Sequence, residues 1–162
     1  MPARLAAILL LLLAAPALAQ LPEAPLRDGF VAVTPTERGA AVRIVVSQVV
    51  RVGRAEGATV IDTTAYVQQR SIEPAEAIAR RISAAGLRLV PLTDPSGGRV
   101  WLAPDKVVLV RDSNERHAAG ARAAVVMIGL RFSADVAVRE SVEQVMAALR
   151  ETGLEVPLGA GR

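Results

Sequence analysis

Short valine-rich runs that alternate apolar and polar positions fill the chain from Phe30 onward, most of them closed by Gly, Pro or Asp. Such runs predict half-buried strands separated by turns. The expected strands are Phe30–Thr34, Ala41–Val45, Val49–Gly53, Ala58–Asp62 and Ala65–Ile72, then Leu89–Thr93, Arg99–Ala103, Val107–Arg111, Arg122–Ile128 and Leu130–Val138. Two segments switch to a helical period. Ala75, Ile78, Ala79 and Ile82 make one apolar stripe after Pro74, which the first turn of a helix tolerates, and before Gly86, a left-handed stop. Val142, Val145, Met146 and Leu149 repeat the stripe. Ser141 and Gln144 are spaced as a capping box, and Gly153 ends the segment.

The order of elements is the same in both halves. VRIVVSQVVRVG (Val42–Gly53) is matched by VWLAPDKVVLVR (Val100–Arg111), where Pro104-Asp105 makes a corner between two strands. Val31/Val90 and Thr34/Thr93 lie 59 residues apart, and Val42/Val100, Val49/Val107 and Val52/Val110 lie 58 apart. Ile61/Ile128, Glu73/Glu140, Glu76/Glu143 and Gly86/Gly153 lie 67 apart, with the whole step assigned to the Asp112–Gly120 loop. The expected fold class is therefore α+β, one unit used twice. Each unit is a small antiparallel β-meander or partly open barrel followed by one amphipathic helix, over 30–87 and 88–153. Units of this size sit near the lower limit of independent stability, so the two are expected to pack together.

The chain has 162 residues. Residues 1–19 read as a secretory signal peptide: Arg4, an apolar core Leu5–Ala15, and Ala17-Leu18-Ala19 as the cleavage site. Residues 20–29 form an extended leader, and 154–162 a tail that could add an edge strand. The expected location is the bacterial periplasm or the medium, with no stable membrane span after cleavage. There is no cysteine, so packing rather than disulfides must hold the fold. Removing Arg4 leaves 19 − 1 = 18 basic against 16 acidic residues, a net charge of +2. That balance describes a mixed solvated surface. The few aromatic residues, Phe30, Tyr66, Trp101 and Phe132, argue against a nucleic-acid stacking platform.

The second unit, with VWLAPDKVVLVR and then VAVRESVEQVMAAL (Val136–Leu149), resembles the small flagellar FlbD (swarming-motility SwrD) family over Leu89–Gly153. The first unit follows the same outline, with Ile72-Glu73-Pro74-Ala75-Glu76 in place of Arg139–Glu143. The resemblance implies a short β-rich protein with a C-terminal helix. It implies no catalytic or cofactor residues.

The candidate chemistry is sparse. Asp62-Thr63-Thr64-Ala65 after Val60-Ile61 is near the retropepsin-like signature, but Thr64 stands where that loop needs glycine. That chemistry also needs two aspartates sharing a proton. A turn is the plainer reading of this stretch, with Asp62 aligned opposite Gly129. His117, the only histidine, lies in DSNERHAAG beside Asp112 and Glu115. A lone histidine is poor equipment for a transition metal. Trp101 faces away from Val100 and Leu102 on its strand, and its counterpart is Arg43. A lone tryptophan at the edge of a β module can anchor an interface or pack under the neighbouring unit or a helix, and Trp101 leads the partner-binding candidates. Arg43, Arg111, Arg116 and His117 follow it. Arg122, Arg131 and Arg139 could extend an anion-attracting face or merely decorate solvent-facing strands.

No nucleophilic elbow, phosphate-binding loop, C-x-x-C or H-E-x-x-H is present. The expected function is a non-catalytic, exported protein-binding or accessory module of the envelope or of motility, without cofactor or metal. Its partner would be another envelope protein, bound at Trp101, the Asp112–Gly120 loop and exposed strand edges. An unusual aspartic hydrolase using Asp62 and a purely structural envelope protein are the alternatives.

Overall fold

The computed structural model describes residues 29–152. The expected signal peptide, the leader up to Asp28, Gly153 and the tail lie outside the described residues.

The fold is α+β, with ten strands in three antiparallel sheets and two helices among the described residues. The first half contains β1 (Phe30–Val33), β2 (Val42–Val45), β3 (Val49–Ala55), β4 (Ala58–Thr63), β5 (Gln68–Ser71) and α1 (Ala75–Ala84). The second contains β6 (Val90–Thr93), β7 (Arg99–Leu102), β8 (Val107–Asp112), β9 (Ala123–Met127), β10 (Asp135–Val138) and α2 (Val142–Glu151). One turn of 3-10 helix joins β2 to β3 at Val46–Gln48, and another joins β7 to β8 at Pro104–Lys106. The Pro-Asp corner is the second of these. Each turn redirects the chain, so the strand that follows does not pair with the strand before it.

Sheet membership crosses the two halves. β1 and β2 form one ladder, and β10, β9 and β8 form another. The largest sheet runs β5-β4-β3-β7-β6, so the β6–β7 hairpin of the second half extends the β3–β5 meander of the first. The two halves are stitched by backbone as well as by side chains.

Local details recur as well. The Glu73 carboxylate accepts from the Thr34 N–H at 2.6 Å, and the Glu140 carboxylate from the Thr93 N–H at 3.0 Å. The Thr34 carbonyl accepts from Ile72 N–H, and the Thr93 carbonyl from Arg139 N–H. In both halves, then, a glutamate just before the helix holds the end of the half's first strand. The sequence showed these glutamates as matched positions but not what they bind.

The helix signals hold. α1 buries Ala75, Ile78, Ala79 and Ile82, and α2 buries Val145 and Leu149. The Ser141–Gln144 capping box forms in both directions. Past α1, Leu87 N–H reaches the Ile82 carbonyl and Gly86 N–H the Ser83 carbonyl, a Schellman ending.

Two strands start later than their alternation predicted, at Gln68 and Asp135. Tyr66 has φ 59° and Gly129 φ 80°, and both turn the chain before pairing can begin. Thr63 closes the first of these turns. Its N–H and its hydroxyl both donate to the Val67 carbonyl.

The pairing register also corrects the spacing between halves. Arg54 pairs with Thr59, and Asp112, 58 residues on, pairs with Ala123, which sets β4 and β9 apart by 64. Asp62 pairs with Gln68, and Val126 with Asp135, which sets β5 and β10 apart by 67. The extra residues therefore sit in two loops, before and after β9. The structural counterpart of Asp62 is Val126 rather than Gly129. The sequence match failed here because Ile61 and Ile128 coincide by chance.

Two apolar clusters form the core. The first contains Val31, Val33, Ile44, Val49, Val52, Ile61 and the α1 stripe, completed by Leu89 and Ala103 from the second half. The second contains Val90, Leu92, Val100, Leu102, Val125, Val136, Val145 and Leu149, completed by Val50 from the first half.

Candidate functional site

β3 and β8 carry the same pattern, VVRVG and VVLVR, and both bulge at their second valine. The register against the next strand slips between Val49 and Arg51 in β3, and between Val107 and Leu109 in β8. A bulge leaves one residue out of the ladder and turns it toward new surroundings. In β3 that residue is Val50, which is fully buried against the second half. In β8 it is Val108, which is 59% exposed, and Leu109 beside it is 46% exposed.

The difference follows from what lies on the outer edge of each strand. β3 is sandwiched between β4 and β7, with Arg51 opposite Leu102, Val52 opposite Trp101, and Ala103 N–H donating to the Val50 carbonyl at 2.9 Å. Among the described residues, β8 pairs with β9 alone, and β2 pairs with β1 alone. A strand edge bearing adjacent exposed Val and Leu side chains is a surface on which another strand can add.

Trp101, the leading binding candidate, is half-buried and packs on the first apolar cluster across the β3–β7 junction. It joins the two halves of one chain. Arg43, its counterpart, is exposed on the free strand β2.

The other three candidates converge on one carboxylate. Asp135, at the start of β10, is buried. Its Oδ2 accepts from Arg111 at 2.7 Å and from Arg116, and His117 Nε2 lies 3.4 Å away. Ser133 donates to Oδ1 at 3.2 Å. Asn114 N–H donates to His117 Nδ1 at 2.9 Å, so the neutral ring carries its proton on Nε2, toward Asp135. Burial acts to raise the Asp135 pKa. The hydrogen bonds from Arg111, His117 and Ser133 and the charge of Arg116 outweigh it, and the group lies below the ordinary carboxylate range.

Ser133 touches the carboxylate and not the imidazole, so no serine–histidine–aspartate relay is assembled. The cluster fastens the β8–β9 loop to β10. Arg111, Arg116 and His117 were each legible as candidates, and only the fold brings them to Asp135. Two of the remaining arginines have other partners: Arg139 donates to the Pro95 carbonyl, and Arg131 lies 5.1 Å over the Phe132 ring.

Asp62 is buried in β4. Arg51 Nε donates to its Oδ2 at 2.7 Å and Gln68 Nε2 to its Oδ1 at 3.0 Å. Both oxygens are thus engaged by neutral or cationic donors, whereas a shared-proton aspartate needs a second carboxylate. A cleft of about 140 Å³ opens beside it, lined by Leu130, Arg131, Phe132 and Ser133. Among the described residues, no group of three or more His, Cys, Asp or Glu side chains is placed to hold a metal ion. No helix among them is long and apolar enough to cross a membrane.

No family model matches the chain, and no curated protein or solved structure matches it.

Proposed function

We propose that this protein is a non-catalytic, exported binding module that works by strand addition at the outer edge of β8. One observation carries the reading. Val108 and Leu109 stand exposed on an edge strand whose counterpart, β3, is covered along its full apolar stretch. Backbone hydrogen bonds would supply affinity, and the two side chains would supply a short apolar contact. The reading takes the halves as one unit used twice, so that β3 displays the occupied form of the edge and β8 the open form. The signal-peptide pattern of residues 1–19 supports the envelope, and the FlbD-like pattern of Leu89–Gly153 supports a link to motility.

The test is recovery of the tagged protein from its host, beside a Val108→Lys, Leu109→Lys double variant. Both positions are already exposed, so the variant should fold. We expect one protein to accompany the wild type and to be lost from the variant. A companion retained by the variant would sink the assignment to this edge.

A further inference from the structure

We infer that the strand taken up by β8 is β2 of a second copy of this chain, so that molecules join head to tail. This rests on the strand-addition reading above and adds the identity of the partner. Among the described residues, each molecule carries one open β8 edge and one open β2 edge. It also contains, between β3 and β7, a finished junction of the same two kinds of strand.

That junction supplies the register. Val52 lies opposite Trp101, Arg51 opposite Leu102, and Ala103 N–H donates to the Val50 carbonyl. Moving each residue to its counterpart 58 positions away puts Val110 opposite Arg43 of the second copy and Leu109 opposite its Ile44. The Val45 N–H of the second copy then meets the Val108 carbonyl. The bulge valine behaves alike. Val50 enters a cluster with Val90, Leu92, Val100 and Leu102, and the counterparts of these four are Val31, Val33, Val42 and Ile44. Val31, Val33 and Ile44 are already buried in the single chain, and Val42, half-buried, is the one of the four that Val108 would further cover.

Two residues that break the repeat fit the same contact. Gly53 faces Val100, and a Cβ added there would stand 3.4 Å from it, an ordinary contact, so Arg111 at the matching place in β8 is admissible. Arg43 replaces Trp101, and in the inferred register its diagonal neighbour on β8 is Asp112. Diagonal pairs lie within reach of long side chains, so the substitution exchanges an apolar seam for an ion pair. The contact joins two different surfaces and is heterologous. It closes into a ring where the rotation allows and otherwise continues as a filament.

The chain has no cysteine, so single cysteines report directly. Arg43→Cys and Val110→Cys proteins, mixed and oxidised, should give a disulfide-linked pair containing one of each. Neither variant alone should cross-link, and adding Val108→Lys to the Val110→Cys protein should abolish the product. Sedimentation of the unmodified protein should show species larger than a monomer that Val108→Lys loses, with thermal melting unchanged at dilutions where both proteins are monomeric. A monomer with no cross-link overturns self-pairing, as does an oligomer indifferent to Val108→Lys. If capture of another host protein then still depends on Val108 and Leu109, the strand-addition reading stands with a different partner. If it does not, both fall.

Discussion

Val50 and Val108 are the bulge residues of β3 and β8, yet Val50 is wholly enclosed and Val108 is 59% exposed. The same side chain at a similar bulge thus meets opposite surroundings, and mutation should separate them. Val50→Ala removes two buried methyl groups from the second cluster and leaves a void, and should cost about 2 kcal/mol. Val108→Ala should stay within about 0.5 kcal/mol in the monomer, as exposed sites do. Urea unfolding at low protein concentration measures both.

Gly129 should be irreplaceable for two reasons that act together. Its φ is 80°, and a Cβ there would stand 2.8 Å from Thr64 Cα and 2.9 Å from the Thr63 carbonyl oxygen. The β9–β10 turn is pressed against the β4–β5 turn at this point, and backbone cannot swing aside as a side chain can. Gly129→Ala should destabilise by about 3 kcal/mol or more, combining left-handed strain with overpacking. Gly57 has φ 78° but open space around it, so Gly57→Ala should cost only the backbone part, about 1 kcal/mol. Comparing the two melting curves isolates the packing contribution.

Acid should loosen the second half through Asp135. Its pKa lies below the ordinary value in the folded chain, so the unfolded chain binds the proton more readily. The stability it confers is fully present above the unfolded value and is lost as pH falls through the folded one. Glu73 is also lowered, first by the Thr34 N–H and then by Arg81, and acts in the same direction. Unfolding midpoints should fall as pH drops below about 4, and Asp135→Asn should flatten that slope. The variant should also expose the 113–121 loop to proteases, since Arg111, Arg116 and His117 lose their common partner.

Asp62→Asn separates a structural from a chemical role. Arg51 and Gln68 both hold the carboxylate, and a charge-assisted bond of this kind contributes roughly 1.5–3 kcal/mol. The variant should lose about that much stability and change no binding. In a double-mutant cycle with Arg51→Met the two losses should be strongly non-additive. A hydrolytic activity that vanishes in Asp62→Asn, with stability unaffected, would return the aspartic-hydrolase alternative.

Much of the local structure was legible because it depends on near neighbours. Pro74 and Gly86 bounded α1, Ser141 and Gln144 capped α2, and the Pro104-Asp105 corner turned where expected. These signals act through dihedral preference and hydrogen bonds a few residues long. The alternation at Ala65 and Leu130 overstates the strand lengths because it continues into residues that Tyr66 and Gly129 turn away from pairing. Candidate residues fared similarly. Arg111, Arg116 and His117 carried charge and polarity visible in the chain, but nothing local announces that Asp135 gathers them from a second hairpin.

By itself, then, the sequence determined the ten-strand, two-helix order and the helical stripes. Each of these is written in periodicity and turn chemistry. The tertiary structure alone decided which edges are filled. VVRVG and VVLVR are nearly interchangeable as strands, and no local rule distinguishes them. β3 is covered because a hairpin follows it in the same chain at the reach of β7, whereas no later hairpin of the described chain comes to β8. The exposure of Val108 is therefore a property of chain connectivity, which no window of residues around it contains.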